Sequence, residues 1–508
     1  MEEKQKRFIE QYTALIAQLN RKHQSLLWWA TDISSKNHYT CLLPEYVQDF
    51  KSVLPFEERP WSVRLQRYKK IAALFVFALR MYARALLARW KLGALVRARL
   101  KSGQKFYVIK TFGYDSSFDE IGRYRDAFFG RLAEDIGPQK NVLLFVNVLG
   151  NFPQFLNRAA GEGPLLVPLE LFLRWQDVWT AVRDVLKFQV NIEGPVVFEG
   201  TDVAALVRYE LYRNFNGIQV SQLLHYHCTC RLLQQCQVET FLMTYENNPW
   251  ERMCTLALRT HSPLTKIIGY QHAVVPYAAL NMFLHPLDHG VVPLPDRIIT
   301  VGEVTAQLLK EAGNYPPGMV QCGAALRYEH LHRSHAQPPA WRGHVLVILD
   351  GVRQSAQLLE YALVQLQDQP GLQVVLRAHP ALPPSYWQKT FGPRIEGAKN
   401  VRWSQESLNE DLQWADAVVY WQSTVAWEAL AQGRGVVNFA SMDILSYDPL
   451  LGCSFLRWSV NAGDSLVKVL QEIRALPGPT RQQQSQKARD FIGKYFYPVS
   501  QQGVELFL

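Results

Sequence analysis

Val374-Val375-Leu376-Arg377-Ala378-His379-Pro380 is the stretch that decides the fold, and Ala417-Val418-Val419-Tyr420-Trp421-Gln422-Ser423-Thr424 repeats its pattern. In both, an apolar run short enough to be a buried parallel strand ends in polar side chains. Ligands of open α/β sheets bind outside the carboxyl ends of such strands. Residues 425–433 read as a helix, so Ser423 and Thr424 fall at a helix start, where free N–H groups favour phosphate. We therefore predict a binding site for an activated donor that carries phosphate.

The sequence around these stretches alternates between strands and helices. Short apolar runs at 344–349, 372–377, 400–403, 416–420 and 435–439 predict a parallel α/β domain over residues 326–480. Asp350, Gly351 and Ser355 follow the first run, and we predict that they shape a loop for phosphate or ribose. The alternative is that Gly351 marks only a turn.

Another parallel α/β domain is predicted over residues 104–325, and 508 residues are too many for one hydrophobic core. Residues 1–103 are expected to form a helical extension, and residues 481–508 a helix that crosses back to the first domain. The expected fold class is α/β, with two Rossmann-like domains and a basic, amphipathic N-terminal extension. Strands of the first domain are expected at 106–109, 141–146, 194–198, 238–244, 266–270 and 297–301, with helices at 165–188 and 201–236.

Residues 61–100 hold ten lysines and arginines and no acidic residue, which exceeds the net charge of +9 for the whole chain. Such a block indicates binding to nucleic acid or to an anionic membrane, and the apolar run at 71–79 favours membrane binding. We predict an amphipathic helix or helical pair on the inner face of the cytoplasmic membrane, with no nucleic-acid partner. The alternative is a helical hairpin packed on the protein. The nine-residue run at 71–79 is short of the ~20 residues that span a bilayer, and the N-terminus shows no signal pattern.

The seven cysteines are odd in number and irregularly spaced, which argues against a disulfide framework and fits a reducing compartment. His225, Cys228 and Cys230 lie close together in sequence, but their spacing matches no standard zinc site and a helix would spread them around its axis. We therefore expect a buried cluster here, and no metal ion or other cofactor.

The motifs resemble those of known families. Two α/β domains with donor motifs in the second resemble the GT-B glycosyltransferases. His379-Pro380 followed by Ser423-Thr424 is similar to the His-Pro and Ser-Ser/Thr pair with which bacterial sialyltransferases and Kdo transferases contact the phosphate of a CMP-sugar. Motifs at 111–130, 245–251, 269–272, 295–297 and 323–328 are similar to those of bacterial surface carbohydrate biosynthesis proteins.

These resemblances imply a glycosyltransferase that passes Kdo or a sialic-type (nonulosonic) sugar from a CMP-sugar to a glycan acceptor. His379 is expected to donate to a phosphate oxygen as the leaving group gains charge. Glu428 lies one turn after Thr424 on the same helix face and is expected to accept from ribose hydroxyls, unless it is an ordinary helix carboxylate. The predicted donor-binding residues are Asp350, Gly351, Ser355, Arg377, His379, Pro380, Ser423, Thr424 and Glu428.

Transfer to a hydroxyl by direct displacement needs a base. The acidic Asp/Glu-Asp/Glu-Gly element that carries this base in bacterial sialyltransferases is not clearly present, because Asp350-Gly351 has one acid and lies in the other domain. For any single candidate base in the first domain, the alternative is that it is a loop acid that caps a helix. The catalytic candidates of the first domain are Asp115 and Asp119, in the loop after the first strand, and Glu246 and His272, at the ends of later strands.

Two other classes of function remain open. One is a different enzyme on the same architecture, a UDP-sugar epimerase or a CDP-glycerol glycerophosphotransferase. The other is a non-catalytic assembly protein that keeps the fold and binds membrane and partners. The predicted partners are a CMP-sugar, a glycan or lipid-linked glycan acceptor, and an anionic membrane surface bound through residues 61–100.

Overall fold

The computed structural model describes residues 3–37, 40–48, 60–100, 103–161, 163–188, 192–213, 216–333, 340–440 and 444–508. The chain divides into two compact units. Unit 1 holds residues 1–273, 280–327 and 499–508, and unit 2 holds residues 274–279 and 328–498. Each unit is thus assembled from separate segments of the chain, and the chain passes between the units after residues 273, 279, 327 and 498.

Unit 1 is built on a parallel sheet. Its strands are β1 (Lys105–Gly113), β2 (Val142–Val148), β3 (Leu165–Pro168), β6 (Gln237–Thr244), β7 (Lys266–Gln271), β8 (Arg297–Thr300) and β9 (Val320–Cys322), and a separate antiparallel pair is β4 (Val197–Phe198) with β5 (Thr201–Asp202). The seven strands lie in the order β3-β2-β1-β6-β7-β8-β9, and every neighbouring pair is parallel. From the centre of the sheet, the chain runs from β1 through β2 to β3 on one side and from β6 through β7 and β8 to β9 on the other. This is the doubly wound pattern.

Unit 2 has a second parallel sheet. Its strands are β10 (His344–Ile348), β11 (Gln373–Arg377), β12 (Val401–Trp403), β13 (Ala417–Tyr420), β14 (Gly435–Phe439) and β15 (Arg457–Val460). They lie in the order β12-β11-β10-β13-β14-β15, with every pair parallel. This is the Rossmann strand order, with its switch point between β10 and β13. The predicted fold class, α/β with two Rossmann-like units, is confirmed by these two strand orders.

Helices alternate with the strands in both units. Those of unit 1 are α1 (Glu3–Lys22), α2 (Leu26–Trp29), α3 (Asp32–Ser35), α4 (Leu43–Gln48), α5 (Pro60–Arg99), α6 (Leu132–Ile136), α7 (Phe152–Ala159), α8 (Trp175–Lys187), α9 (Ala204–Arg213), α10 (Gly217–Leu233), α11 (Pro249–His261), α12 (Glu303–Glu311) and α19 (Gln501–Glu505). Those of unit 2 are α13 (Ser355–Leu366), α14 (Pro384–Gly397), α15 (Leu408–Trp414), α16 (Val425–Ala431), α17 (Leu466–Ala475) and α18 (Gly478–Tyr495).

The third strand of unit 1 differs from the sequence prediction. The run at 194–198 contributes only the short hairpin strand β4 and does not enter the sheet. The edge strand is β3, in a stretch that we had predicted to be helical. All four residues of β3 are buried, and Pro168 lacks the N–H that a longer sheet strand would use.

The N-terminal helices are part of unit 1, and not a separate extension as predicted. Asn20 of α1 donates to the Asp288 carboxylate over 2.9 Å, and the Lys36 ammonium lies 3.7 Å from the same carboxylate. Both Lys36 and Asp288 have fully buried side chains. Arg252 of α11, also buried, donates to the Ser34 hydroxyl. These buried polar contacts tie the start of the chain to residues more than two hundred positions away.

The basic block forms one continuous helix, α5, of 40 residues, as the single-helix form of the prediction has it, and not a helical pair or a hairpin. Gly93 does not interrupt it. By length and composition, its segment Tyr68–Arg99 is long and apolar enough to cross a membrane, contrary to the sequence prediction. The helix packs along unit 1 against α7, α8 and the short 3₁₀ segment Leu169–Phe172.

The C-terminal crossing also lies later than predicted. Helix α18 belongs to unit 2, and the return to unit 1 begins at Val499. The ring of Phe507 then packs against Tyr270 at 5.4 Å, and its carbonyl accepts a hydrogen bond from the Tyr107 hydroxyl. The carbonyl of Leu508 accepts from the Lys266 ammonium over 3.1 Å. The last residues of the sequence therefore complete the core of unit 1.

Candidate functional site

Three loops of unit 2 follow neighbouring strands at one edge of its sheet. Asp350-Gly351 comes after β10, His379-Pro380 after β11 and Ser423-Thr424 after β13. Because β11, β10 and β13 are adjacent and parallel, the carboxyl ends of all three strands face the same side. The loops after β10 and β13 flank the switch point of the sheet, where ligands of this fold bind.

Gly351 and His379 are in direct contact. A Cβ atom added to Gly351 would lie 2.7 Å from Nδ1 of His379, so only glycine leaves room for the imidazole. Nδ1 of His379 accepts a hydrogen bond from the Ala381 backbone N–H over 3.1 Å. In the neutral ring this leaves Nε2 carrying the proton, and the ring is exposed. The histidine therefore offers an oriented N–H donor at the strand end, next to the Asp350 loop.

Asp350 and Ser355 organise the loop after β10. Ser355 accepts from the Asp350 backbone N–H and donates to the Asp350 carbonyl, which joins the end of β10 to the start of α13. The Asp350 carboxylate is buried and accepts from the Gln422 backbone N–H over 3.3 Å. Burial raises the pKa of Asp350 to about 7, while the Gln422 N–H opposes the rise. A carboxyl that keeps its proton near neutral pH can donate a hydrogen bond to a phosphate oxygen.

The raised pKa makes stability depend on pH. The native state holds the Asp350 proton more tightly than the unfolded chain, so this group favours folding fully at low pH and loses its contribution as pH rises toward 7. We expect wild type to lose about 1.4 kcal/mol of unfolding free energy for each pH unit across that window, relative to Asp350→Asn. Urea denaturation of both proteins at several pH values measures the difference. If the unfolding free energies of the two proteins changed equally with pH, the raised pKa of Asp350 would be contradicted.

The start of α16 presents the hydroxyls of Ser423 and Thr424. The Ser423 hydroxyl accepts from the Val425 N–H over 3.4 Å, whereas Thr424 already has helical dihedral angles and makes no side-chain cap bond to the helix. Ser423 thus caps the helix weakly, and the partly exposed Thr424 hydroxyl makes no cap bond to it. Glu428 is partly buried one turn later, with its carboxylate 4.0 Å from the His330 imidazole.

Arg377, one of the predicted donor-binding residues, is held in place by contacts within unit 2. Its Nη1 donates to the Asp411 carboxylate over 2.6 Å and to the Glu406 carbonyl over 2.9 Å. The same carboxylate accepts from the Ser404 hydroxyl over 2.6 Å, and Asp411 is only 3% exposed. The guanidinium thereby holds the end of β11 to the segment that leads into α15. Pro380, also among the predicted donor-binding residues, is exposed.

Unit 1 brings two of the four catalytic candidates together. His272 follows β7 and Glu246 follows β6, its neighbour in the sheet. Burial lowers the pKa of His272, the Glu246 carboxylate raises it, and the Arg327 guanidinium lowers it further. Nδ1 of His272 is buried and has no hydrogen-bond partner among the described residues. The ring packs edge-on against Phe128 at 4.9 Å, and the lowered pKa favours its neutral form.

The two acids of the loop after β1 are placed differently. Asp119 accepts from the backbone N–H groups of Arg123 and Ile121 and lies 3.5 Å from the Arg125 guanidinium. These backbone bonds lower the pKa of Asp119, which makes its carboxylate a loop-stabilising group and a weak base. Asp115 begins the 3₁₀ segment Asp115–Ser117 and is partly buried, and its carbonyl accepts from Arg158. Of the four catalytic candidates, Glu246 and His272 thus lie at the ends of neighbouring strands, whereas Asp115 and Asp119 lie in the loop after β1.

No protein-family model matches the chain. No curated protein is significantly similar to it. Among solved structures, a glycosyltransferase from Rickettsia africae is similar over 79% of this chain and 98% of its own, with 10% identity and a TM-score of 0.45. The glycosyltransferase SnogD from Streptomyces nogalater has 13% identity and a TM-score of 0.42, with 79% and 97% coverage. The UDP-GlcNAc 2-epimerase of Neisseria meningitidis, bound to UDP-GlcNAc, has 11% identity and a TM-score of 0.37, with 76% and 99% coverage. Because the identities and TM-scores are low, the fold assignment rests on the strand orders of the chain itself.

Arg327 is a site residue that sequence reasoning did not single out. It lies within the motif at 323–328, and its guanidinium is 5.6 Å from the Phe128 ring centroid. Its signals in the sequence are its place in that motif and its position shortly after a buried strand. Of the residues that the structure describes, no three His, Cys, Asp or Glu side chains are grouped so as to hold a metal ion. His225 and Cys228 are buried in α10, where His225 packs on Trp250 at 5.5 Å.

Proposed function

We propose that the chain is a glycosyltransferase that passes a sugar of the Kdo or sialic type from a CMP-sugar to a glycan acceptor of a surface polysaccharide. The observation that carries the proposal is the convergence of three loops, 350–351, 379–380 and 423–424, on one sheet edge of unit 2. An oriented imidazole N–H, two hydroxyls and a buried carboxyl are hydrogen-bonding groups that suit a phosphate. The His-Pro and Ser-Thr motifs support CMP as the nucleotide.

In the proposed reaction the acceptor oxygen attacks the anomeric carbon of the donor sugar. The bond from that carbon to the phosphate oxygen breaks, and CMP leaves with the bonding electrons. His379 donates to the phosphate oxygens, a contact that strengthens as they gain charge in the transition state. The Ser423 and Thr424 hydroxyls add donors to the same phosphate.

The acceptor hydroxyl must also lose its proton, and we assign that proton to His272. A general base has to be unprotonated at the working pH. Burial keeps His272 neutral, whereas Asp119 is already committed to backbone donors and Arg125. Glu246 is a positioning residue in this scheme, because its charge raises the basicity of His272.

A thermal-shift panel with CMP, CDP and UDP tests the donor assignment. We expect CMP at a hundredfold excess over Kd to raise the Tm by roughly 5–10 °C, since binding then contributes about 2.7 kcal/mol. His379→Ala is expected to lose most of this shift. His379→Gln is the matched control, because its amide can still donate, and it should keep an intermediate shift.

The other outcomes of the panel identify the alternatives. A preference for UDP favours a UDP-sugar epimerase, and a preference for CDP favours a CDP-glycerol glycerophosphotransferase. No response to any nucleotide would overturn the enzymatic proposal and favour a non-catalytic assembly protein. A CMP shift that His379→Ala leaves intact would show that the nucleotide binds elsewhere.

A further inference from the structure

One side of α5 exposes large apolar side chains from Tyr68 to Trp90. Tyr68, Leu79 and Trp90 are 71%, 61% and 75% exposed, and Val76 between them is 66% exposed. The opposite side of the helix is buried against unit 1, with Leu74, Ala85 and Leu92 among its buried residues. Side chains of this size are rarely left together in water unless the surface binds something.

The exposed side chains follow an eleven-residue repeat that includes a cation. Tyr68-Lys69, Leu79-Arg80 and Trp90-Lys91 are pairs of the same kind at equal spacing. Eleven residues are close to three helical turns, so the pairs recur on one side at intervals of about 16 Å. Lys69, Arg80 and Lys91 therefore form a row of positive charge beside an apolar stripe, and the Lys91 ammonium lies 4.5 Å from its neighbour's indole ring.

The cations of α5 fall into two sets with different roles. Arg84 pairs with the buried Glu170 carboxylate over 2.8 Å, Arg89 donates to the Leu171 carbonyl, and Lys70 donates to the Tyr212 carbonyl. These three hold the helix to unit 1. Lys69, Arg80 and Lys91 are exposed and form no ion pair with any described carboxylate. No carboxylate of the described residues neutralises their charge.

Helix α8 widens the apolar surface. Trp175 and Trp179 are 41% and 42% exposed, and their rings stack on each other at 6.3 Å. Trp179 contacts Phe75 at 5.8 Å, and Trp175 contacts Tyr82 at 5.2 Å. The aromatic rings of the two helices thus form one continuous surface. We name it the aromatic-basic face, formed by Tyr68, Lys69, Leu79, Arg80, Trp90 and Lys91 of α5 with Trp175 and Trp179 of α8.

We propose that the aromatic-basic face binds the surface of a lipid bilayer that carries anionic headgroups, with α5 lying parallel to the membrane plane. Its tryptophans and tyrosine enter the membrane–water interface, where amphipathic rings are favoured. Its row of cations, Lys69, Arg80 and Lys91, contacts the headgroup phosphates. The proposal does not depend on the donor assignment of unit 2. It holds whether or not the chain transfers a sugar.

The charges favour a membrane over a second copy of the chain. A symmetric contact between two copies sets the same surface against itself, so the cation rows would approach each other. Residues 60–100 include no acidic residue to offset that repulsion. An anionic bilayer supplies the missing negative charge.

The packing of α5 also favours lying on the membrane over crossing it. A crossing helix would have to leave unit 1 and abandon the ion pair between Arg84 and Glu170. Glu170 is 2% exposed, so its carboxylate would lose the only cation paired with it among the described residues. Removing one partner of a buried pair is strongly unfavourable.

Vesicle flotation of the full chain tests the proposal. We expect binding to phosphatidylcholine vesicles that contain phosphatidylglycerol, weaker binding to pure phosphatidylcholine, and loss of the difference at high salt. The triple variant Lys69→Gln, Arg80→Gln, Lys91→Gln should bind anionic vesicles about a hundredfold more weakly, since each cation contributes about fivefold. The variant Leu79→Ser with Trp90→Ser should lower binding to both kinds of vesicle.

The matched control changes the same charge elsewhere on the surface. Lys310, Lys399 and Lys494 are exposed, and the triple variant Lys310→Gln, Lys399→Gln, Lys494→Gln should bind as wild type does. Unchanged binding of the α5 variant, or an equal loss in the control, overturns the proposal. Resistance of wild type to carbonate extraction would show a spanning helix instead. A dimer that Trp90→Ser converts to a monomer, without vesicle binding by wild type, would show a self-association surface.

Discussion

Replacing Trp427 with alanine is expected to lower the unfolding free energy of unit 2 by about 3–5 kcal/mol. The indole is fully buried and lies 6.1 Å from the Phe491 ring, 4.5 Å from Tyr495 and 5.1 Å from Phe496. It sits on α16, directly after the Ser423-Thr424 loop. Truncation leaves a cavity between α16 and α18 and loosens the helix that carries those hydroxyls. We therefore also expect weaker nucleotide binding.

Urea denaturation followed by circular dichroism measures this effect. Trp427→Phe is the matched control, since it keeps an aromatic ring in the cluster. The indole N–H has no hydrogen-bond partner among the described residues, so phenylalanine breaks no bond there. It should cost clearly less than alanine. A loss below about 1 kcal/mol for Trp427→Ala, or an equal loss for both variants, would show that the cluster does not anchor α16.

Replacing His272 with alanine is expected to slow sugar transfer by about 10²–10⁴-fold, the range for loss of a general base. The nucleotide-induced thermal shift should persist, because His272 belongs to unit 1 and the nucleotide residues belong to unit 2. The measurement is CMP release in the presence of a glycan acceptor. Loss of the thermal shift together with the rate would point to misfolding, which far-ultraviolet circular dichroism would detect.

The pH profile separates a base from a merely structural histidine. Wild type should lose activity as pH falls through the lowered pKa of His272, because the protonated ring cannot accept a proton. Glu246→Gln removes a charge that raises this pKa, so the acid limb should move to lower pH. Arg327→Met removes a charge that lowers it, so the limb should move to higher pH. Shifts in the same direction, or no shift, would exclude His272 as the base.

The sequence predicted those parts of the fold and site that depend on neighbouring residues. Apolar runs ending in polar clusters located β10, β11 and β13, and their loops lie at one sheet edge as expected. The four-residue strand β3 was missed, because its short apolar run leads directly into a helical pattern and is too brief to show a period.

Contacts between residues that are far apart along the chain could not be predicted from the sequence. Arg377 is predicted to bind the donor from its place before His379, and the sequence gives no sign of its ion pair with Asp411, 34 positions further on. The N-terminal helices looked like an appendage because nothing local reveals that Asn20 bonds Asp288, 268 positions away. Trp175 and Trp179 join the aromatic-basic face only because α8 packs beside α5.

The return of residues 499–508 to unit 1 has a consequence for how the protein is made. A ribosome produces the strands of unit 1 first, yet Phe507 and Leu508, which pack on Tyr270 and bond to Lys266, are produced about 240 residues later. All segments of unit 2 are complete once residue 498 has been synthesised. Unit 1 is therefore completed after unit 2, and Tyr107 and Tyr270 lack their contacts with Phe507 until that residue has been synthesised. We therefore expect a chain that lacks residues 499–508 to aggregate more readily than one that contains them.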